Sequence, residues 1–116
     1  MKPAARRYAA RFAALGHEVR LEIVRLLLAS HPEGMVAGEI QQELNIPAST
    51  LSHHLDGLLQ EKLIEQQREG RFLRYRADTE GLREILDFLY AECCTRNQVV
   101  QISAPLKGKA QDEKRP

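Results

Sequence analysis

Apolar residues along this chain recur first at helical and then at strand spacing. Tyr8, Phe12 and Leu15 stand 4 and 3 residues apart with Ala between them, which is one face of a helix. Pro3 suits the start of that helix and Gly16 its end. Val19, Ile23, Leu26 and Leu27 mark a second helix. Leu21, Val24 and Leu28 cover its other side, so the pattern predicts a helix buried nearly all round. His31-Pro32-Glu33-Gly34 reads as a loop. A short helix is expected from about Ala37 to Leu44, then a tight turn at Asn45-Ile46-Pro47. Leu51, Leu55, Leu58 and Leu59 define the next helix, which Pro47 opens while being unable to continue the preceding one. Lys62-Leu63-Ile64 closes this unit. A strand from about Ile64 to Arg68, a two-residue turn at Glu69-Gly70 and a return over Arg71 to Arg76 read as a hairpin. Thr79 is a plausible N-cap for a last helix running through Ile85, Leu86 and Leu89 to Cys93.

Two helices joined by a short turn, followed by a hairpin, outline a winged helix-turn-helix. The fold class expected is mainly α, with about five helices, a two-stranded β-hairpin wing and a homodimeric assembly. At 116 residues the chain fits one domain. Residues 1–97 are expected to form the DNA-binding and dimerisation domain. Residues 98–116, polar and Lys-rich from about Ser103, read as a mobile C-terminal tail.

Composition agrees with a helical domain: 43% hydrophobic, 5% aromatic and no Trp. A net charge of +1 does not by itself announce nucleic acid. The distribution says more. Lys2, Arg6, Arg7 and Arg11 precede the first acid, Glu18, and Arg68, Arg71, Arg74 and Arg76 crowd the hairpin. The most apolar run, Leu21 to Ala29, is too short for a membrane span and is broken by Glu22 and Arg25. A cytoplasmic protein is expected, and there two cysteines are reduced thiols sooner than a disulfide.

Chemistry concentrates in two places. In the helix after Pro47, the leucines face inward, and Ser49, Thr50, Ser52 and His53 fall away near its start. Short hydroxyls there let a duplex approach and donate to phosphates or base edges, and His53 can reach a guanine. The plain alternative is a solvated polar face. Arg68 and Arg71 flank the hairpin turn, where they can lie on phosphates or in the minor groove. The plain alternative there is an edge hairpin protected by charge.

Three segments together carry a family resemblance: Leu15-Gly16-His17-Glu18-Val19-Arg20-Leu21-Glu22-Ile23, Ser52-His53-His54-Leu55, and Arg68-Glu69-Gly70-Arg71 with Tyr75-Arg76. The chain resembles the ArsR/SmtB family of winged-helix repressors over roughly residues 7–94. The resemblance implies a homodimer paired through its first and last helices. It also implies an operator held in the absence of effector and released when a metal or metalloid binds. The family's cysteine cluster on the helix before the recognition helix has no counterpart, because Met35 to Leu44 contains neither Cys nor His. Its Asp/His/His/Glu zinc set on the last helix is missing too, since Asp78, Glu80, Glu84, Asp87 and Glu92 come without His. His53 and His54 point about 100° apart on a helix and form no chelating pair. His54 reads better as packed against the domain.

That leaves Cys93 and Cys94, the only cysteines. The plain reading is a small apolar residue at a helix interface beside a bystander. The doubling at a helix end favours a functional dithiol. Some arsenic-responsive members of the family carry such a pair followed by a third Cys, where this chain has Thr95 and Arg96 and no later Cys. Arsenite prefers three thiolates. A methylated As(III) has one position filled by carbon and needs two. The expected effector is therefore a trivalent arsenical, methylated or inorganic, with antimonite a further candidate, and no other cofactor is required. The runner-up is a repressor switched by oxidation of the pair. A thiol enzyme lacks a local base and oxyanion site, so enzymatic activity is not expected. A winged-helix module that never touches DNA is the remaining alternative.

Overall fold

A computed structural model describes residues 2–96. The tail expected over 98–116, and the last residue of the domain expected over 1–97, lie outside the described residues. The element order is α1 (Pro3–Leu15), α2 (Glu18–Ala29), β1 (Met35–Val36), α3 (Ala37–Leu44), α4 (Ala48–Gln60), β2 (Ile64–Glu69), β3 (Phe72–Ala77) and α5 (Thr79–Tyr90). The contacts divide into two units, one ending at Leu86 and the other starting at Asp87. The architecture is a winged helix-turn-helix, as expected, with one addition. The wing is a three-stranded antiparallel sheet in the order β1-β3-β2. β1 pairs Met35 with Tyr75 and Val36 with Arg74. Two residues are too few to show a period of 2, so the alternation rule had nothing to detect.

The core is aliphatic. Ile23, Leu27, Ile40, Leu58, Leu63 and Ile85 are its largest fully buried side chains. Leu51 and Leu55 complete the inward stripe of α4, and Ile64, Tyr75 and Ala77 bring in the sheet. α2 departs from the expected all-round burial. Ile23, Val24 and Leu27 are buried, but Leu21 and Leu28 are 46% and 45% exposed. They stand seven residues apart, two turns of helix, so they share the outer face with Glu22 and Arg25.

Local signals account for the element ends. Asn45 stops α3 in the left-handed conformation at φ 53, a role Asn fills more readily than most residues. α4 ends in a Schellman arrangement: Leu63 N–H donates to the Leu58 carbonyl at 3.0 Å and Lys62 N–H to that of Leu59 at 3.1 Å. Lys62 is left-handed there at φ 60, and the apolar residue after it, Leu63, is fully buried. The cap of α5 is Asp78 instead of Thr79; its Oδ1 accepts from Gly81 N–H at 2.9 Å, and a carboxylate at that end also suits the helix dipole.

The hairpin turn shifts by one residue. Glu69 pairs with Phe72, so Gly70 and Arg71 form the turn. Gly70 has φ 62, a conformation that favours glycine at the first central position of a two-residue connection. Several cations of the two basic stretches are engaged within the fold. Arg11 is buried and pairs with Glu84 at 2.8 Å, joining α1 to α5. Arg74 pairs with Glu69 at 2.9 Å. Arg76 donates to the Pro32 carbonyl at 2.9 Å and to Gln67 at 2.7 Å. The loop after α2 is thereby tied to the outer face of the sheet.

Leu58 sits at the centre of this packing, with no exposure. Leu58→Ala should lower unfolding free energy by about 2–5 kcal/mol through lost burial and the cavity left behind. Urea denaturation followed by circular dichroism measures it, and a loss below about 1 kcal/mol would contradict the packing described.

Candidate nucleic-acid interface and thiol site

The leucine stripe of α4 decides what the helix shows to solvent. Leu51, His54, Leu55 and Leu58 are buried. Ser49, Thr50, Ser52 and His53 are all exposed, so the four polar residues singled out in the sequence stand together on the outward side of the first two turns. Helix starts carry unsatisfied N–H groups and partial positive charge, both suited to a phosphate. Arg71 lies exposed at the tip of the wing. Arg68 is exposed one pair back, opposite Leu73, and donates to the Gly70 carbonyl at 3.3 Å. With Arg74 and Arg76 held by Glu69, Gln67 and the loop, Arg68 and Arg71 are the wing cations placed to meet an anion.

His54 is packed into the domain, 7% exposed. Its Nδ1 accepts from Arg20 Nε on α2 at 3.1 Å. His17 caps α2, its Nδ1 accepting from Val19 N–H at 3.1 Å, and its ring lies 4.5 Å from that of His54, centroid to centroid. Burial, then the neighbouring His17, Arg20 and His53, hold the pKa of His54 below its ordinary value. The same Arg20 explains a glycine inside α4. A helix-interior Gly costs about 1 kcal/mol relative to Ala, yet a Cβ on Gly57 would come within 2.7 Å of the Arg20 Cζ. Arg20 therefore lies against the bare backbone of α4. It borders an open hollow of about 460 Å³ walled by Ala10, Ala13 and Ala14 of α1 and by His53, Asp56 and Glu61 on α4's side. Nothing in the hydrophobic pattern singled out Arg20 or Gly57. The lone Gly in an otherwise strong helix was the available signal.

The thiols lie beyond α5. The helix ends at Tyr90, three residues short of the end expected at Cys93, and 91–96 form turns. Cys93 N–H donates to the Tyr90 carbonyl at 2.9 Å, and Cys94 is left-handed at φ 65. That conformation swings two neighbouring side chains together: the sulfurs are 3.0 Å apart. Cys93 is exposed and Cys94 half-buried. The hydrogen bond with Cys94, and then desolvation, push the Cys93 thiol above its ordinary pKa. The backbone has therefore already left the helix where the two thiols lie. Among the described residues no group of three or more His, Cys, Asp or Glu is placed to hold a metal ion, and no helix is long and apolar enough to cross a membrane.

Comparisons with known proteins agree with this geometry. A helix-turn-helix domain family matches residues 15–67. The transcriptional repressor SdpR of Bacillus subtilis is 32% identical over 78 residues, covering 67% of this chain and 83% of that protein. An ArsR-like transcriptional regulator from Rhodococcus sp. RHA1 superposes with a TM-score of 0.70 at 26% identity, covering 84% of this chain and 89% of that one. Reduced HlyU from Vibrio cholerae superposes with a TM-score of 0.61 at 26% identity, over 79% and 94% of the two chains.

The buried, neutral His54 links folding to pH. Its folded pKa lies below the ordinary 6.5, so the unfolded chain binds the proton more readily. Its contribution to stability is full above about pH 7 and is lost as pH falls through the unfolded and then the folded pKa. Urea midpoints measured from pH 8 downward should fall through that window for the native chain and less for His54→Gln. Equal slopes would remove His54 as the cause.

Proposed function

The chain belongs to the ArsR family of winged helix-turn-helix transcriptional regulators, and on that premise we propose that it is a repressor released from its operator by a trivalent arsenical bound to Cys93 and Cys94. The family's members are DNA-binding regulators and not enzymes, so the thiols are read as a ligand site. The observation that carries the reading is the sulfur pair, 3.0 Å apart and accessible beyond the helix end. A singly methylated arsenic(III) dihydroxide brings two exchangeable positions. Each thiol replaces one hydroxide, two As–S bonds form, two As–O bonds break, and the thiol protons leave in two waters. Arsenite would keep a third position to be filled by water or by a cysteine of a second copy. Antimonite offers the same thiophilic chemistry with a larger ion.

DNA is met by α4 and the wing. Ser49, Thr50, Ser52 and His53 address base edges and phosphates, and Arg68 and Arg71 address the backbone. A second copy of the chain reads the other half-site, about one helical turn away. Leu86 and Leu89 of α5, 52% and 59% exposed, support pairing through that helix. Sedimentation should show a dimer at micromolar concentration, and a monomer would count against this assembly.

The same sulfur contact favours one second reading. An oxidant such as a peroxide could take two electrons and two protons from the thiols, forming an S–S bond and water. A vicinal disulfide is strained and labile, which suits a reversible switch. Intact mass of the reduced protein exposed to arsenical or to peroxide separates an arsenic adduct from a loss of two hydrogens.

Arg71→Ala should weaken binding to operator and random duplex alike and lower the slope of log affinity against log salt by about 1. Ser52→Ala or His53→Ala should instead erode the preference for the operator. An unchanged salt slope in Arg71→Ala would exclude the wing from the interface.

Cys93→Ser and Cys94→Ser should each keep operator affinity within about twofold and abolish release by methylated As(III), read by fluorescence anisotropy. The native chain should release at a lower concentration of methylated As(III) than of arsenite, because two ligands satisfy the former. Arsenite acting far ahead would indicate a recruited third thiolate. Unchanged release in both variants would remove the dithiol from the switch.

A further inference from the structure

We propose that Arg20, His54 and Gly57 form a positioning joint that sets the pose of the recognition helix on DNA, so that sequence preference is lost when His54 takes up a proton. The proposal rests on α4 being the element that reads DNA. His54 and Gly57 are three residues apart and share one face of α4. A single side chain from α2 meets both. Arg20 Nε donates to His54 Nδ1 at 3.1 Å, and the rest of its guanidinium lies where a Gly57 Cβ would be, 2.7–2.8 Å from Cζ and both terminal nitrogens. One contact limits rotation of α4 about its axis, and the other sets how closely α4 approaches α2. Leucine packing alone is less exacting, since apolar contacts carry no direction. Ser49, Thr50, Ser52 and His53 ride on the same rigid helix. Hydrogen bonds to base edges tolerate only a few tenths of an ångström, so the joint controls whether those groups reach them.

The joint holds in one protonation state. For Nδ1 to accept from Arg20, the proton of His54 must sit on Nε2. The imidazolium carries N–H on both nitrogens, so Nδ1–H would confront Arg20 Nε–H, donor against donor and cation against cation. His17 adds to the pressure. Its own Nδ1 is an acceptor from Val19 N–H, and its ring lies 4.5 Å from that of His54. The groups acting on His54 are His17 before α2, Arg20 on α2 and His53 beside it on α4, and all three disfavour its charged form. Asp56 and Glu61 border the hollow that Arg20 also lines, and neither forms an ion pair with Arg20 or His54. Protonation therefore opens the bond, and α4 keeps its leucine seat without its angular stop.

The test uses the full chain and a duplex that the native chain enriches from a random-sequence library. The measured quantity is the ratio of its affinity to that of a scrambled duplex, from about pH 8 to about pH 5.5, where histidines titrate. The native ratio should fall about tenfold across that range. His54→Gln, whose amide oxygen accepts from Arg20 but binds no proton, should show a flat ratio. The part of the fall that His54 causes is the difference between the two pH profiles. Arg20→Gln and Gly57→Ala should each lower the ratio about tenfold at pH 8 with scrambled-duplex affinity unchanged and the circular dichroism of the folded chain retained. If Arg20→Gln fails to fold, Gly57→Ala decides, because it leaves both bonding groups in place and only displaces the guanidinium. A native ratio in Gly57→Ala, or a pH fall in His54→Gln equal to that of the native chain, would overturn the proposal. A native chain that enriches no duplex would overturn the DNA reading beneath it.

Discussion

Burial of one stripe of α4, Leu51, Leu55 and Leu58, is the constraint on which the rest depends. An amphipathic helix that buries its apolar face turns its polar face to solvent. Once these leucines enter the cluster with Ile23, Leu27, Ile40 and Leu63, the outward positions near the helix start are settled, and they are the short polar ones. The turn before α4 serves the same end. Asn45 at φ 53 ends α3 abruptly, and Pro47 starts α4 without needing a hydrogen bond from its own nitrogen. The Schellman arrangement at the other end returns the chain through buried Leu63 straight into β2. Sequence signals at both ends thus agree with the apolar pattern between them.

Charge in this protein divides into structural and available groups. Counting cations along the chain marks the hairpin as basic, but Arg74 and Arg76 are committed to Glu69, Gln67 and the loop after α2. They stiffen the wing and anchor it. What remains for a partner is Arg68 and Arg71 at the tip, carried on a base that the other two hold. Exposed ion pairs of this kind contribute little to stability. Their effect is geometric: a wing fixed by these bonds loses less freedom when its tip meets a partner. Arg11 is the counterpart in the first basic stretch, turned inward to Glu84 and so removed from any cationic surface.

The elements set by periodicity were legible, and those set by geometry between elements were not. α3, α4 and the hairpin follow from spacing, from Pro and Gly positions and from alternation. β1 escaped because two residues show no period, and the outer face of α2 was misjudged because leucine count does not say which side a neighbour covers. The turn at Gly70-Arg71 was placed one residue early, since register depends on which pair closes the ladder. At the candidate site the exposed hydroxyls, His53 and the inward His54 were readable from helical phase. The Arg20 contact was not, because it joins residues 34 and more positions apart, and a pattern along the chain carries no information about such a pair.

The thiol geometry changes where the free energy of a switch would come from. An effector shifts an equilibrium only by its differential affinity for the two states. Had Cys93 and Cys94 lain within a regular helix, chelation would have had to break it, and the cost of unwinding would itself separate a bound state from a free one. The sulfurs instead converge in the turn beyond Tyr90, with Cys94 already left-handed. Bringing the ligands together costs little, which favours tight binding but supplies no coupling. On the arsenical reading, the discrimination must therefore reside in what the closed chelate does to the turn. A free pair can rotate its side chains and loosen the 91–96 turn; a ring through both sulfurs and one metalloid fixes them. Release then requires that the DNA-bound dimer need a conformation of this turn that the ring forbids. The energy at stake is that of holding one short segment, on the scale of one to three kcal/mol typical of coupling between sites, enough to lower operator affinity by one or two orders of magnitude.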